Sequence, residues 1–151
     1  VALATAILAM SFVRIMIHAV WGTKNREGVL NNEFRAELFA HIVENAKSKG
    51  VYIDTINGYT DHVHCLFALP VNEPIAKVLQ LIKGESSYWI NKTGIVKGKF
   101  SWADEYYAAS VSESQLEKVR LYIRNQEEHH KKITFADEFS AFLKKHNTNG
   151  G

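Results

Sequence analysis

Asp61-His62-Val63-His64-Cys65-Leu66-Phe67-Ala68-Leu69 is an apolar run interrupted by two histidines. Read as a strand from His62 to Leu69, it puts Val63, Cys65 and Phe67 on one side and His62, His64 and Leu66 on the other. Upstream, Val51–Ile56 is a short β-rich run, and Asn57-Gly58 reads as the turn joining the two strands. Phe12–Trp21 alternates in the same way, with Val13, Ile15, Ile17, Ala19 and Trp21 on one face and Arg14, Met16 and His18 on the other. Phe100–Val111 is a further strand with mixed faces.

Two helices separate these strands. Asn31 or Asn32 can cap the first, whose apolar set is Phe34, Leu38, Phe39, Ile42, Val43 and Ala46, and Gly50 ends it. Asn72-Glu73-Pro74 opens the second, with Ile75, Val78, Leu79 and Ile82 facing the core and Gly84 as an interruption. Ser112-Glu113-Ser114-Gln115 has the form of a capping box and predicts a third helix running to about His130. One more helical piece is expected near Phe135–Lys145. The order β-α-β-β-α-β followed by a helix predicts an α+β fold. It is the ferredoxin-like (RRM-like) split βαβ antiparallel sheet, with helices on one face plus a C-terminal helix. With helices on the Val63 side, the histidines are expected on the open face.

The chain has 151 residues, 46% hydrophobic and 23% charged, with a formal charge of +2. That fits one domain with a core of its own and hints only weakly at a polyanionic partner. A single catalytic-type domain is expected over 11–146, with a loose tail at 147–151. Residues 1–10 read as an upstream or cloning-derived extension ahead of a natural start at Met10. The apolar stretch Val1–Ala9 is too short to span a bilayer and has no basic flank, so no membrane partner is expected. Cys65 is the only cysteine, which excludes an internal disulfide and a thiolate zinc cluster and suits a cytoplasmic location. Its neighbours make it a small core residue.

The chemistry lies in two places about sixty residues apart. Histidines at i and i+2 on a strand lie roughly 6.5–7 Å apart on one side, so both can reach a single metal ion. Tyr122 and Gln126, four apart on the third helix, lie one above the other, with His129 and His130 following. Taken singly, each has a plainer reading: Tyr122 at the border of the Leu116/Val119/Ile123 stripe, Gln126 solvated, the histidines favoured by a helix C-terminus. Taken together, they are the parts of a metal-assisted tyrosine nucleophile.

The combination of His62-Val63-His64 with Tyr122-Ile123-Arg124-Asn125-Gln126 and His129-His130 resembles the HUH single-tyrosine transposases. These are the single-strand DNA transposases of minimal insertion sequences and their REP-associated relatives. His18–Arg26, Gly58–His64, Ile82–Ser87, Phe100–Trp102 and Ala108–Ser112 resemble further signatures of that family. The likeness spans about Ser11–Lys132. Ala103 and Glu105 depart from it, standing where the family often has glutamine and glycine.

The resemblance implies an enzyme that cleaves and rejoins single-stranded DNA at hairpin-bearing ends through a 5′-phosphotyrosine. Tyr122 would be the nucleophile and His62, His64 and Gln126 the ligands of Mg²⁺ or Mn²⁺. Asp61, Asn125 and His130 would hold these groups in place. It also implies a homodimer and no nucleotide cofactor, and leaves open whether Tyr122 acts in its own or its partner's site. Lys24, Arg26, Lys83, Arg120 and Arg124 are candidate phosphate contacts, and Tyr88 and Trp102 candidate stacking platforms. The alternative is a non-catalytic single-stranded nucleic-acid-binding regulator on the same fold.

Overall fold

The computed structural model describes residues 11–147. The extension expected at 1–10, and the tail expected at 147–151 apart from Asn147, lie outside the described residues. Four strands, β1 (Met16–Thr23), β2 (Tyr52–Gly58), β3 (His62–Ala68) and β4 (Trp102–Val111), form one antiparallel sheet in the order β2-β3-β1-β4. Helix α1 (Asn32–Ser48) links β1 to β2, and α2 (Ile75–Thr93) links β3 to β4. This is the predicted split βαβ order.

The alternation seen in the sequence decides which way the sheet faces. Ile17, Ala19 and Trp21 of β1 and Val63, Cys65 and Phe67 of β3 pack with Leu38 and Ile42 of α1 and Val78, Leu79 and Ile90 of α2. The larger aliphatic and aromatic side chains among them contribute on the order of 2 kcal/mol each when fully buried. Asn31 caps α1 by accepting from the Phe34 N–H at 2.9 Å, and Gly50 follows the helix at φ +80°. Gly84 does not interrupt α2. Ile82, Ser86 and Ile90, buried at four-residue spacing, anchor the helix on both sides of it. That packing outweighs the roughly 1 kcal/mol cost of an internal glycine.

β1 begins at Met16 rather than Phe12 because both partners stop there: Met16 pairs with Ala68 of β3 and Val111 of β4. Asn57-Gly58 is not the turn either. β2 runs through Gly58, and the chain reverses over Tyr59–Asp61, closed by Tyr59 N–H to the His62 carbonyl at 3.0 Å. Gly58 is needed for closeness: a Cβ there would lie 2.2 Å from the His62 oxygen. Gly58→Ala is therefore expected to lower unfolding stability by about 2 kcal/mol in urea titration. An unchanged midpoint would show that the hairpin can open without cost.

The second sheet face is covered, not open as expected. Beyond β4 come a 3₁₀ turn (Glu113–Gln115), α3 (Leu116–Arg124), α4 (Gln126–His129) and α5 (Phe135–Asn147). Leu116 and Ile123 of α3 close over Met16 and Leu66, and Phe135 of α5 stacks on the His62 ring at 4.3 Å. Gly22 makes room for Phe135, whose ring would sit 2.6 Å from a Cβ on β1.

The expected capping box does not form. Ser112 makes no side-chain cap bond; its carbonyl instead accepts from the Gln115 N–H at 2.9 Å, closing the 3₁₀ turn. The single helix expected to His130 is also broken, at Asn125 (φ −97°, ψ 17°), so Tyr122 and Gln126 lie on different helices.

Candidate active site

β3 delivers His62 and His64 to the covered face, and both are fully buried. Pleating alone puts them on one side, but their ring orientations are set by what holds Nδ1. Asp61 Oδ1 lies 2.8 Å from His62 Nδ1. His18, diagonally across on β1 where it pairs with Leu66, places Nε2 2.9 Å from His64 Nδ1. Each ring therefore turns Nε2 toward the same space, the arrangement that orients histidines at metal centres. Burial lowers the His64 pKa to about 3 and that of His18 to about 4, with Glu138 acting in the opposite sense on both. Both rings are neutral at pH 7, as metal-ligating imidazoles must be.

Gln126 is the first residue of α4 and is also fully buried. Its Oε1 is 3.1 Å from His62 Nε2 and 2.9 Å from His130 Nε2, while its Nε2 donates to the Tyr122 carbonyl at 3.3 Å. That last bond crosses the break at Asn125 and fixes the amide orientation. His130 Nδ1 bonds the Ile133 carbonyl at 2.8 Å.

Glu138 of α5 stands at the centre and is 2% exposed. One oxygen lies 2.9 Å from His64 Nε2 and 3.5 Å from His62 Nε2. The other lies 3.0 Å from His129 Nε2 and 3.3 Å from His130 Nε2, and accepts a short hydrogen bond from the Tyr122 hydroxyl. Burial opposes its ionisation, but the donors from His130, His64 and Tyr122 prevail and hold the carboxyl well below the usual range. The same pairing acts in reverse on Tyr122: burial first, then Glu138, push the phenol well above its ordinary value. His130 is raised, because the bond to Glu138 and its charge outweigh burial.

The donor set fits a cation. His62 Nε2 faces two oxygens, Gln126 Oε1 and Glu138 Oε1, so an ion placed between them would meet one nitrogen and two oxygen donors. Ligand atoms of His62, His64, His130 and Glu138 all lie within 4.8 Å of one another. Beside them a cleft of about 510 Å³ opens next to Tyr122, bordered by His18, Tyr107, Lys118 and Phe142.

A family model described as transposase IS200-like matches residues 11–126. This chain belongs to that family. Two solved structures share its fold. A candidate transposase from Deinococcus radiodurans R1 is 25% identical, with TM-score 0.62 over 77% of this chain and 93% of its own. A REP-associated tyrosine transposase bound to a REP hairpin is 14% identical, with TM-score 0.61 over 82% of this chain and 73% of its own. No curated protein matches the chain.

The transposase distributes the other sequence candidates unevenly. Lys24 lines a basic cavity of about 250 Å³ with Lys97 and Lys99. Arg26, at φ +55°, sets its guanidinium 5.9 Å from the Phe135 ring centre. Tyr88 is 65% exposed, with Lys92 over its ring. Arg124 is exposed at the end of α3.

Trp102 is a correction: it is buried against Trp21 and Phe100 and donates to Ser86 Oγ at 3.0 Å, so no base can stack on it. Lys83 donates to the Ala103 carbonyl at 2.7 Å. Arg120 grips Asp54 through two bonds of 2.8 and 2.9 Å. That guanidinium holds the Asp54 carboxyl below its usual range.

Glu138 and His18 are the functional candidates the sequence reading missed. A signal for Glu138 existed: it is an acid within the apolar spacing Phe135, Phe139, Phe142. Acids on such a face are rarely buried without partners.

Proposed function

We propose that this transposase cuts and rejoins single-stranded DNA with Tyr122 as nucleophile. The observation that carries the reading is convergence. The Tyr122 hydroxyl and His64 Nε2 both bond the one Glu138 carboxylate, and His62 Nε2 and Gln126 Oε1 border the same space.

In this reading His62, His64 and Gln126 hold a divalent ion, Mg²⁺ or Mn²⁺, which when bound offsets phosphate charge and polarises the phosphorus. Tyr122 Oη gives up its proton and forms a bond to a 5′-phosphorus, and the O3′–P bond breaks. The proton given up by the phenol passes through solvent, and the departing 3′-oxygen takes one back and becomes a free hydroxyl, so the step is proton-neutral. Attack by a 3′-hydroxyl reverses the step, and the phosphotyrosine conserves the bond energy, so no nucleotide cofactor is used. Asp61 holds His62, while Asn125 turns the chain between the helices bearing Tyr122 and Gln126. Lys24, Arg26, Arg124 and Tyr88 are proposed to meet DNA. Lys83 and Arg120 would first have to leave the partners they hold.

The fold neighbour that binds a REP hairpin supports a hairpin-bearing single strand as the substrate. Among the described residues no helix is long and apolar enough to cross a membrane, and the lone buried Cys65 accords with a cytoplasmic setting. Incubation with a single-stranded hairpin and Mn²⁺ is expected to yield a covalent protein–DNA band. Binding without any such band would favour a regulatory binder instead. Two element ends need two nucleophiles, so a homodimer is proposed as well. Light scattering with DNA bound should show twice the 17.1 kDa of one chain in the protein component. A lone protomer would refute the dimer.

A further inference from the structure

We propose that Glu138 is a ligand of the divalent ion, so that metal binding fastens the C-terminal helix α5 to the sheet. This rests on the metal reading given above and adds to it a residue beyond the family-matched segment, which ends at 126.

The chemistry of the site asks for such a residue. Two imidazoles and an amide are neutral, and Mg²⁺ and Mn²⁺ prefer anionic oxygen. A buried dication with no anion beside it is costly. Glu138 supplies that anion at the required place. Its Oε1 is 2.9 Å from His64 Nε2 and 3.5 Å from His62 Nε2, and the imidazole and carboxylate donors already lie within 4.8 Å of each other. Two histidines and one carboxylate form a recurrent divalent-metal set that leaves positions open for substrate. Gln126 then completes or steadies the set through Oε1.

The placement of α5 follows from the same contact. Ring contacts hold it as well, Phe135 on His62 and Phe142 against Tyr107 at 4.8 Å, and near its end His146 bonds the Tyr107 hydroxyl at 2.6 Å. A metal bond at Glu138, one turn after Phe135, would join α5 to β3 by coordination as well as packing. Ion occupancy and helix docking are then linked: whatever lifts α5 weakens the metal, and whatever removes the metal loosens α5.

The test uses the full chain, freed of metal and titrated with Mn²⁺ by calorimetry and by loss of free-ion EPR signal. Glu138→Gln keeps the shape and removes the charge. It is expected to weaken Mn²⁺ at least tenfold, with Glu138→Asp recovering part of the loss. Hydrogen exchange over residues 135–147 should slow several-fold when Mn²⁺ is added to the wild type and stay unchanged in Glu138→Gln. Equal Mn²⁺ affinity in wild type and Glu138→Gln would overturn the assignment while leaving the three-residue metal site standing. Faster exchange of α5 on adding Mn²⁺ would overturn it too, since the carboxylate would then leave as the ion arrives. A wild type that binds no Mn²⁺ would remove the metal reading itself.

Discussion

Tyr122→Phe is expected to abolish covalent DNA attachment, by at least about 1,000-fold, while hairpin binding stays within a few fold. Removing the nucleophile of a two-step transfer leaves only positioning and electrostatics, which cannot form the phosphotyrosine. Phenylalanine keeps the ring contacts with His64, His129 and Phe142 and deletes only the hydroxyl. The hydroxyl's lost partners are Glu138 and, at 3.3 Å, His129 Nε2; Glu138 retains His64, His129 and His130 as partners. The stability cost should be about 1 kcal/mol.

The rival tyrosines are placed differently. Tyr107 bonds His146 at 2.6 Å and stacks on Phe142, and Tyr106 lies under Lys83 at the sheet edge. Neither touches His62 or His64. The check is a denaturing gel of protein incubated with single-stranded hairpin DNA and Mn²⁺. A band that survives Tyr122→Phe but disappears in Tyr107→Phe would move the nucleophile to β4.

How much of this could be read beforehand depends on the range of the interactions. The alternation of Ile17, Ala19 and Trp21 and of Val63, Cys65 and Phe67 is a local pattern of period two. It gave both the strands and their inward faces. The pairing of His62 with His64 on one side follows from the same period. What covers them does not: Glu138 is 74 residues from His64, and only the folded chain brings α5 there.

Local competition explains other misses. Ser112 loses its cap because a 3₁₀ turn satisfies the Gln115 N–H first, and the break at Asn125 leaves no hydrophobic signal. Trp102 on a strand of mixed faces could be read as surface or core. Its bond to Ser86, sixteen residues away on α2, decides for the core.

His64→Ala tests the metal half of the site. Loss of one imidazole from a small ligand set should reduce Mn²⁺ affinity at least 100-fold and take covalent DNA attachment with it. Because burial keeps the ring uncharged, the substitution removes no buried charge, so the apoprotein should still fold with the cost of a cavity. It should also leave an acid signature. His64 has a folded-state pKa of about 3 against an ordinary 6.5, and His18 about 4. Between those values the unfolded chain binds protons that the folded chain refuses. The contribution of this pair to apoprotein stability is therefore full above pH 6.5 and falls as pH drops from 6.5 toward 4, while His130, raised by Glu138, acts in the opposite sense. Removing His64 takes away one of these protons, so His64→Ala should lose less stability than the wild type across that window. Urea midpoints at pH 7 and pH 5, measured in chelator, give the comparison. A change between pH 7 and pH 5 that is the same in His64→Ala as in the wild type would mean that His64 is not held neutral in the fold. Unchanged Mn²⁺ affinity in His64→Ala would show that the strand histidines do not hold the ion.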